Sequence, residues 1–448
     1  MVMDMTVGKP IRSILRFFVP VLLGNLLQQV YSMTDSAIVS HFLGVKAFAG
    51  VSATGSLNFL ILGFALGLCG GFAIPVSQEF GASNRPEMRR CFANALYASA
   101  VLSLALGALT AIFTPQILRL VGTPEDIFVY ARDYIRWIFI GIPATVLYNL
   151  LSGVMRAVGD GKTPLYMLIF SCVLNIALDY LCVVPLNMGI AGAAIATVLS
   201  QLMAGLMCLV IIFKKTEALK IRGEEWKFSS RIIRRELGIG LPMGLQFSIT
   251  AIGSTLLQSA VNGLGSSAVA AIGAGAKVQF LFTTPAEAVG VTMATYCGQN
   301  LGARKIDRVK KGVIQITLIM LGYSVFAFLM QMLFGQQIAH LFIDASQTEI
   351  LQNVRLFLNI VVSCTFLLSI VLIFRNSIQG LGYSRVAMLA GLMELAGRGF
   401  VAMVLVKKYG FPGACVANPV AWIAADLLLV PLLIRIIKKY EKFYPAKD

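Results

Sequence analysis

The sequence predicts an all-α membrane protein of twelve transmembrane helices in two six-helix lobes. Three observations carry that prediction. Apolar runs of about 20 residues recur along all 448 residues, each long enough to cross a hydrocarbon core of roughly 30 Å. Mean hydropathy is +0.81 and charged residues make up only 13%, clustered between the runs. The second half repeats the first with an offset of about 221 residues.

The predicted helices cover 14–41, 46–75, 91–114, 128–152, 164–186, 190–213, 236–262, 268–297, 311–334, 352–378, 385–406 and 412–437. The first is too long for the apolar core of a signal peptide and lacks a small-residue cleavage site, so it reads as a span. An even count places both termini on one side. Most of the 37 Lys and Arg residues lie on that side, and only Lys46, Arg119, Arg132, Arg136, Arg355, Lys407 and Lys408 on the other. The positive-inside rule therefore makes the termini cytoplasmic. It also accounts for the formal charge of +16 without nucleic acid.

The repeat is visible in short matches. Asn58-Phe59-Leu60 corresponds to Gln279-Phe280-Leu281. Gln78-x-x-Gly81-Ala82 corresponds to Gln299-x-x-Gly302-Ala303, each followed by a basic loop. Gly189-x-x-Gly192-Ala193-x-x-Ala196 corresponds to Gly410-x-x-Gly413-Ala414-x-x-Ala417, and Pro20 to Pro242. The expected organisation is an N-terminal lobe over 1–213, a solvated cytoplasmic linker over 214–235 and a C-terminal lobe over 236–448. Six helices per repeat give both lobes one orientation, related by an axis along the membrane normal.

Several chemistries have little material. The eight Cys form no CxxC pair and fall mostly in apolar segments, where a thiol behaves as a small hydrophobe. The two His, His41 and His340, sit near segment ends. Gly159-Asp160-Gly161-Lys162-Thr163 has Arg156 where a phosphate loop needs its first glycine, and no strand precedes it. It reads as a tight turn. No nucleophile–base or metal constellation suggests an enzyme, and no cofactor is expected.

The acids inside apolar segments are more telling. A carboxylate at bilayer depth costs about 2.5–3.5 kcal/mol on insertion scales and is kept for a pathway or a ligand. Asp35 lies in the first predicted helix and Asp179 in the fifth, with Asn175 four residues earlier on the same face. Both helices run outward, and Thr197 comes early in the returning sixth. Asp35, Asn175, Asp179 and Thr197 therefore meet in the outer half of the first lobe. Two carboxylates, an amide and a hydroxyl are hard oxygen ligands that suit Na⁺, and a buried carboxyl pair equally suits a proton. The second lobe has Leu256 or Leu257 opposite Asp35 and apolar residues near Val401 opposite Asp179, so these acids are one-sided.

Tyr31-Ser32-Met33-Thr34-Asp35, the Asn175-x-x-x-Asp179 pair, Thr197 and the six-helix repeat together resemble the MATE (multidrug and toxic compound extrusion) transporters. The resemblance covers essentially the whole chain. It implies a V-shaped two-lobe fold, efflux of organic cations against Na⁺ or H⁺, and Asp35, Asn175, Asp179 and Thr197 as the coupling site, a metal site only if the ion is Na⁺. One branch of that family has further acids in helices 7 and 10, where this chain has Thr250 and Ser369.

In the second lobe, Glu394 and Arg398 are four apart in the acid-first order of a helical ion pair and read as structural. Glu287 has no sequence partner, since Lys277 ten residues earlier falls on another helical face. It either meets a cationic cargo, with Gln246 and Thr250 beside it in the cavity, or is structural. Asp426 is left open. The expected protein is a monomeric, cation-coupled multidrug antiporter of the inner membrane, with organic cations or amphipathic drugs and the bilayer as partners. The alternative is a flippase for lipid-linked sugars, which needs a basic cavity. Lys277 and Arg398 are the bases expected inside the apolar segments, outnumbered by acids, which favours cationic cargo. A pure channel fits poorly with one-sided acids in a two-lobe repeat.

Overall fold

The computed structural model describes residues 2–339 and 347–444. His340 lies outside the described residues. No strand occurs among those described. Among the described residues nine helices are long and apolar enough to span a membrane, or eleven if each of two bent pairs is one span. A further helix, Ser266–Gly302, has 37 residues and reaches across as well, at 1.5 Å per residue. Counted with it, the helices among the described residues are consistent with the twelve spans that the apolar runs predict.

The chain divides into two compact units. Unit 1 comprises Met1–Asp4 and Val19–Gly244, and unit 2 comprises Met5–Phe18 and Leu245–Asp448. Two helices belong to both. Helix α1 (Pro10–Ala53) passes from unit 2 to unit 1 after Phe18, beside Pro20. Helix α9 (Ser230–Asn262) passes from unit 1 to unit 2 after Gly244, beside Pro242. Proline leaves the carbonyl one turn earlier without its donor, so each crossing coincides with a weak point in the helical ladder.

Unit 1 is built from α2 (Gly55–Gly81), α3 (Arg85–Ile112), α4 (Thr114–Leu120), α5 (Glu125–Ile140), α6 (Ile142–Ala157), α7 (Lys162–Val183) and α8 (Gly189–Lys215). Helix α8 packs on α5, α6 and α7, and α2 packs on α3 and α6. Phe72, Phe92, Phe139, Ile135, Ile142 and Leu150 fill the core between them. The start of α9 closes on α2 through glycine. A Cβ on Gly71 would stand 2.4 Å from the Gly240 Cα, and one on Gly67 2.6 Å from the Met243 carbonyl oxygen. Lipid offers no hydrophobic drive for helix pairing, so close backbone approach through small residues supplies the packing instead.

Unit 2 contains α10 (Ser266–Gly302), α11 (Ile306–Ala339), α12 (Thr348–Ser363), α13 (Thr365–Gly380), α14 (Ser384–Phe400), α15 (Val406–Tyr409), α16 (Phe411–Cys415) and α17 (Ala417–Phe443), with a π turn over Val401–Leu405. Helix α13 packs on α10 and α17, and α14 on α17. The amino-terminal residues are stitched into this unit. The Met5 N–H donates to Gln299 Oε1 at 2.9 Å, and Arg308 Nη2 donates to the Met5 and Val7 carbonyls at 3.1 and 3.2 Å. Lys305 Nζ donates to the Thr6 carbonyl at 2.9 Å.

The repeat goes deeper than the sequence matches. The pair α5–α6 bends by 49° at Gly141, and its counterpart α12–α13 bends by 46° at Cys364. Each was expected as one uninterrupted helix. The breaks escape sequence reading because the apolar pattern continues through them. Left-handed backbone recurs in step at Gly44 and Gly265, Ser83 and Arg304, and Gly189 and Gly410, each pair about 221 residues apart. Gly44, at φ 81°, breaks α1 ahead of Ala53.

Two segments differ from expectation in detail. The stretch 214–235 is more than a solvated connection. Leu219 and Ile221 are buried in the core of unit 1. Arg89 on α3 donates to the Ala218 carbonyl at 3.0 Å and pairs with Glu225 at 3.3 Å. The turn 159–163 is a helix start. Asp160 accepts from the Lys162 and Thr163 N–H groups at 3.1 and 3.0 Å, capping α7.

The glycine contact gives a first test. Gly71→Val forces α2 and α9 apart, and overpacking of this kind costs about 1–3 kcal/mol. The thermal midpoint of the purified variant in detergent should fall, whereas Gly55→Ala, which meets open space, should leave it unchanged.

Candidate functional site

The four residues expected to share a site do so inside unit 1. Helix α1 brings Asp35, α7 brings Asn175 and Asp179, and α8 brings Thr197. Asn175 and Asp179 are both 0% exposed. Their i, i+4 spacing turns both toward α8, where Asn175 Nδ2 donates to Thr197 Oγ1 at 3.3 Å. Asp35 faces Asp179 across the site, close enough that a proton on either carboxyl makes a hydrogen bond between them.

Both Asp179 oxygens, Asp35 Oδ1 and Asn175 Oδ1 are buried without a hydrogen-bond partner. Four convergent acceptor oxygens without a bonded partner form an incomplete set, and the Tyr31 hydroxyl beside them is likewise unpartnered. Two buried carboxylates in contact repel, and the arrangement is relieved by a proton shared between them or by a small cation among the oxygens. The residues therefore fit either ion. No cluster of three or more His, Cys, Asp or Glu side chains able to hold a metal occurs among the described residues. A Na⁺ here would use the amide and hydroxyl oxygens as well as the two carboxylates.

Two tyrosines join the group. Tyr31, one turn before Asp35 on α1, brings its hydroxyl beside Thr197 and both carboxyls. Its position four residues from Asp35 was a usable sequence signal. Tyr134 on α5 is 6% exposed and lies within electrostatic range of Asp35, Asp179 and Tyr31. Nothing in its sequence neighbourhood pointed to it, because the contact is made between helices far apart in the chain. On α8, one turn past Thr197, Gln201 accepts from Thr145 Oγ1 at 2.5 Å and fixes α6 to the same face.

Unit 2 has a different polar centre. Glu394 is bridged by two guanidinium groups, Arg375 Nη1 at 2.7 Å and Arg398 Nη1 at 3.6 Å. The expected Glu394–Arg398 pair exists, and the shorter contact comes from α13. Arg375 corrects the sequence count of intramembrane bases. It lies near the end of its predicted helix and read as a loop charge, whereas its side chain is 13% exposed within α13. Glu236 on α9 is another acid that the sequence reading passed over. It is 0% exposed in unit 1, with both oxygens unpartnered.

The remaining candidates separate by environment. Gln246 is 5% exposed and accepts from Gln379 Nε2 at 2.7 Å inside unit 2. Thr250 Oγ1 donates to the Gln246 carbonyl of its own helix at 3.0 Å. Glu287 on α10 is exposed and within electrostatic range of Arg375.

A chain of membrane-spanning helices in two repeated units, with an intramembrane carboxyl pair on one side only, is the architecture of a transporter and not of an enzyme. The comparisons agree. The MatE family profile matches residues 20–181 and 242–402, one segment in each half, and the chain belongs to that family. It is 33% identical over 346 residues to the probable multidrug resistance protein YoeA of Bacillus subtilis, covering 75% of this chain and 74% of that protein. It is 25% identical over 373 residues to an FAD transporter of Shewanella oneidensis, covering 82% of each. Its fold matches a solved outward-facing multidrug resistance MATE family transporter of the MOP superfamily with a TM-score of 0.90, at 22% identity over 97% of both chains.

The ion-pair centre makes a direct prediction. Glu394→Gln leaves two buried guanidinium groups without their anion, and breaking a buried pair costs about 3–5 kcal/mol. The variant should lose thermal stability by that order in detergent, whichever drug is present. An unchanged unfolding midpoint would show that Arg375 and Arg398 find other partners.

Proposed function

We propose that this chain is a multidrug efflux antiporter, exporting organic cations or amphipathic drugs in exchange for H⁺ or Na⁺ by alternating access. The observation that carries the reading is the pairing of Asp35 and Asp179 inside unit 1, beside Asn175 and Thr197, with four acceptor oxygens left unpartnered. Such a site has a reason to take up a cation from one side of the membrane and release it on the other. Arg375 and Arg398 are both engaged by Glu394. They are therefore less available to the anionic head of a lipid-linked sugar, and the flippase alternative is weaker. Glu287 is the acid available to a cationic cargo.

The coupling step we favour acts through unit 1 itself. Neutralising Asp35 and Asp179 removes their mutual repulsion and lets α1 draw toward α7 and α8. Pro20, where α1 changes unit, is the place for it to bend. Cargo in unit 1 is displaced by the loss of room and not by contact with the ion.

Proteoliposomes loaded with a fluorescent organic cation test both parts. Asp35→Asn and Asp179→Asn, isosteric and uncharged, should each abolish efflux driven by an imposed H⁺ or Na⁺ gradient while elution and thermal stability stay near wild type. Full efflux in either variant removes the carboxyl pair from the mechanism. Of the two gradients, the one that drives wild-type transport identifies the ion.

The proposed orientation has both termini and residues 214–235 in the cytoplasm. A cysteine introduced at Glu224 in a chain lacking native cysteines should react with a membrane-impermeant maleimide only after cells are opened. Labelling of intact cells would reverse the topology.

A further inference from the structure

Asp426 is the acid the coupling reading leaves unused. It sits on α17, is 9% exposed, and neither of its carboxyl oxygens has a hydrogen-bond partner. Helix α17 packs chiefly on α14 and α13, and more lightly on α11, α12 and α16. Glu394 from α14 and Arg375 from α13 are the charged groups that act on Asp426. Arg398, also on α14, is turned to Glu394.

Arg375 thus has three acids around it. It donates to Glu394 at 2.7 Å, and it lies within electrostatic range of Asp426 on the buried side and of Glu287 on the exposed side. With every group ionised, the five side chains Glu287, Arg375, Glu394, Arg398 and Asp426 carry one net negative charge. The four inner groups, Arg375, Glu394, Arg398 and Asp426, balance among themselves when ionised, so the net negative charge sits with Glu287 at the exposed edge and leaves the cluster receptive to one added positive charge. One proton on Asp426 supplies it, and so does one monovalent cation on Glu287. Both together leave the cluster positive, and neither leaves it negative.

We propose that Asp426 is a second proton-binding site, separate from the carboxyl pair of unit 1, and that its proton decides which acid Arg375 serves. When Asp426 is ionised it holds Arg375 on the buried side, and Glu287 stays free to hold a cationic cargo. When Asp426 takes up a proton, its attraction for Arg375 and its repulsion of Glu394 are lost. Arg375 is then released toward Glu287, and the cargo loses its counter-charge. One proton enters as one cationic group is discharged. The Glu287 half of this scheme rests on the reading of Glu287 as a cargo contact, whereas the Asp426 half does not.

Infrared difference spectroscopy and drug binding, both on the full chain in lipid nanodiscs, test the two halves separately. On raising the pH, the C=O stretch of protonated carboxyl groups should diminish. Part of that loss should be absent in Asp426→Asn yet retained in the Asp35→Asn/Asp179→Asn double variant. Identical difference spectra for wild type and Asp426→Asn overturn the proton site. If Asp426→Asn does not fold, Asp426→Glu serves, since the longer acid moves the band, and an unmoved band overturns the site equally. Rhodamine 6G affinity should fall at least tenfold as wild type is acidified through the same range. In Asp426→Asn it should be weak, and the only pH dependence left should be the part that disappears in the Asp35→Asn/Asp179→Asn double variant. A wild-type affinity profile in that variant overturns the relay through Arg375. Undiminished rhodamine binding in Glu287→Gln removes the cargo reading, and the infrared result then stands or falls alone.

Discussion

Hydrocarbon supplies no hydrogen bonds, and the rest of this structure depends on that constraint. Every polar group placed at depth has to find its partner within the protein or draw one in from outside. Helices meet the demand for the backbone. For the side chains the two units solve it differently. Unit 2 closes most of its polar interior on itself, with Glu394 between two guanidinium groups and Gln379 on Gln246. Unit 1 leaves two facing carboxyls and an amide oxygen without a donor. Groups closed on one another hold a shape, whereas unpartnered ones, the carboxyl pair of unit 1 and Asp426 of unit 2, have affinity left over for an ion.

The repeat itself is best preserved where backbone geometry is unusual. Equivalent left-handed residues need not be equivalent side chains, since Ser83 stands opposite Arg304 at the same φ of 58°. Both halves also break their fourth long segment at the corresponding place, by 49° and 46°. Backbone turns are hard to vary without moving whole helices, whereas side chains at the same depth change freely. This is how one architecture accommodates a carboxyl pair in one unit and an acid bridged by two guanidinium groups in the other.

Continuity between the units runs through α1 and α9, each of which changes unit next to a proline. A proline inside a helix removes one backbone hydrogen bond and relaxes the constraint between the segments on either side. The short amino-terminal stretch repeats the theme. Met1–Asp4 belong to unit 1, and the residues that follow are held by Gln299, Lys305 and Arg308 of unit 2. Movement in this protein therefore has few covalent routes, and each passes through a locally weak or locally stitched piece of chain.

The sequence by itself determined the class, the number of spans, the repeat and the identity of the acids, because each is written in local hydropathy, in spacing or in a short motif. It also brought Asp35, Asn175, Asp179 and Thr197 together, since helix direction and depth can be counted from the spans. What it left undecided are the contacts made across helices distant in the chain. Tyr134 joins the carboxyl pair from α5, and Arg375 displaces Arg398 as the nearer partner of Glu394. Arg375 read as a loop charge because charge near the end of an apolar run ordinarily snorkels to the interface. Only the packing of α13 against α10 and α17 showed that its guanidinium is kept inside. Helix periodicity fixes which face a residue occupies, and the neighbour that face meets is decided by how the helices pack in three dimensions.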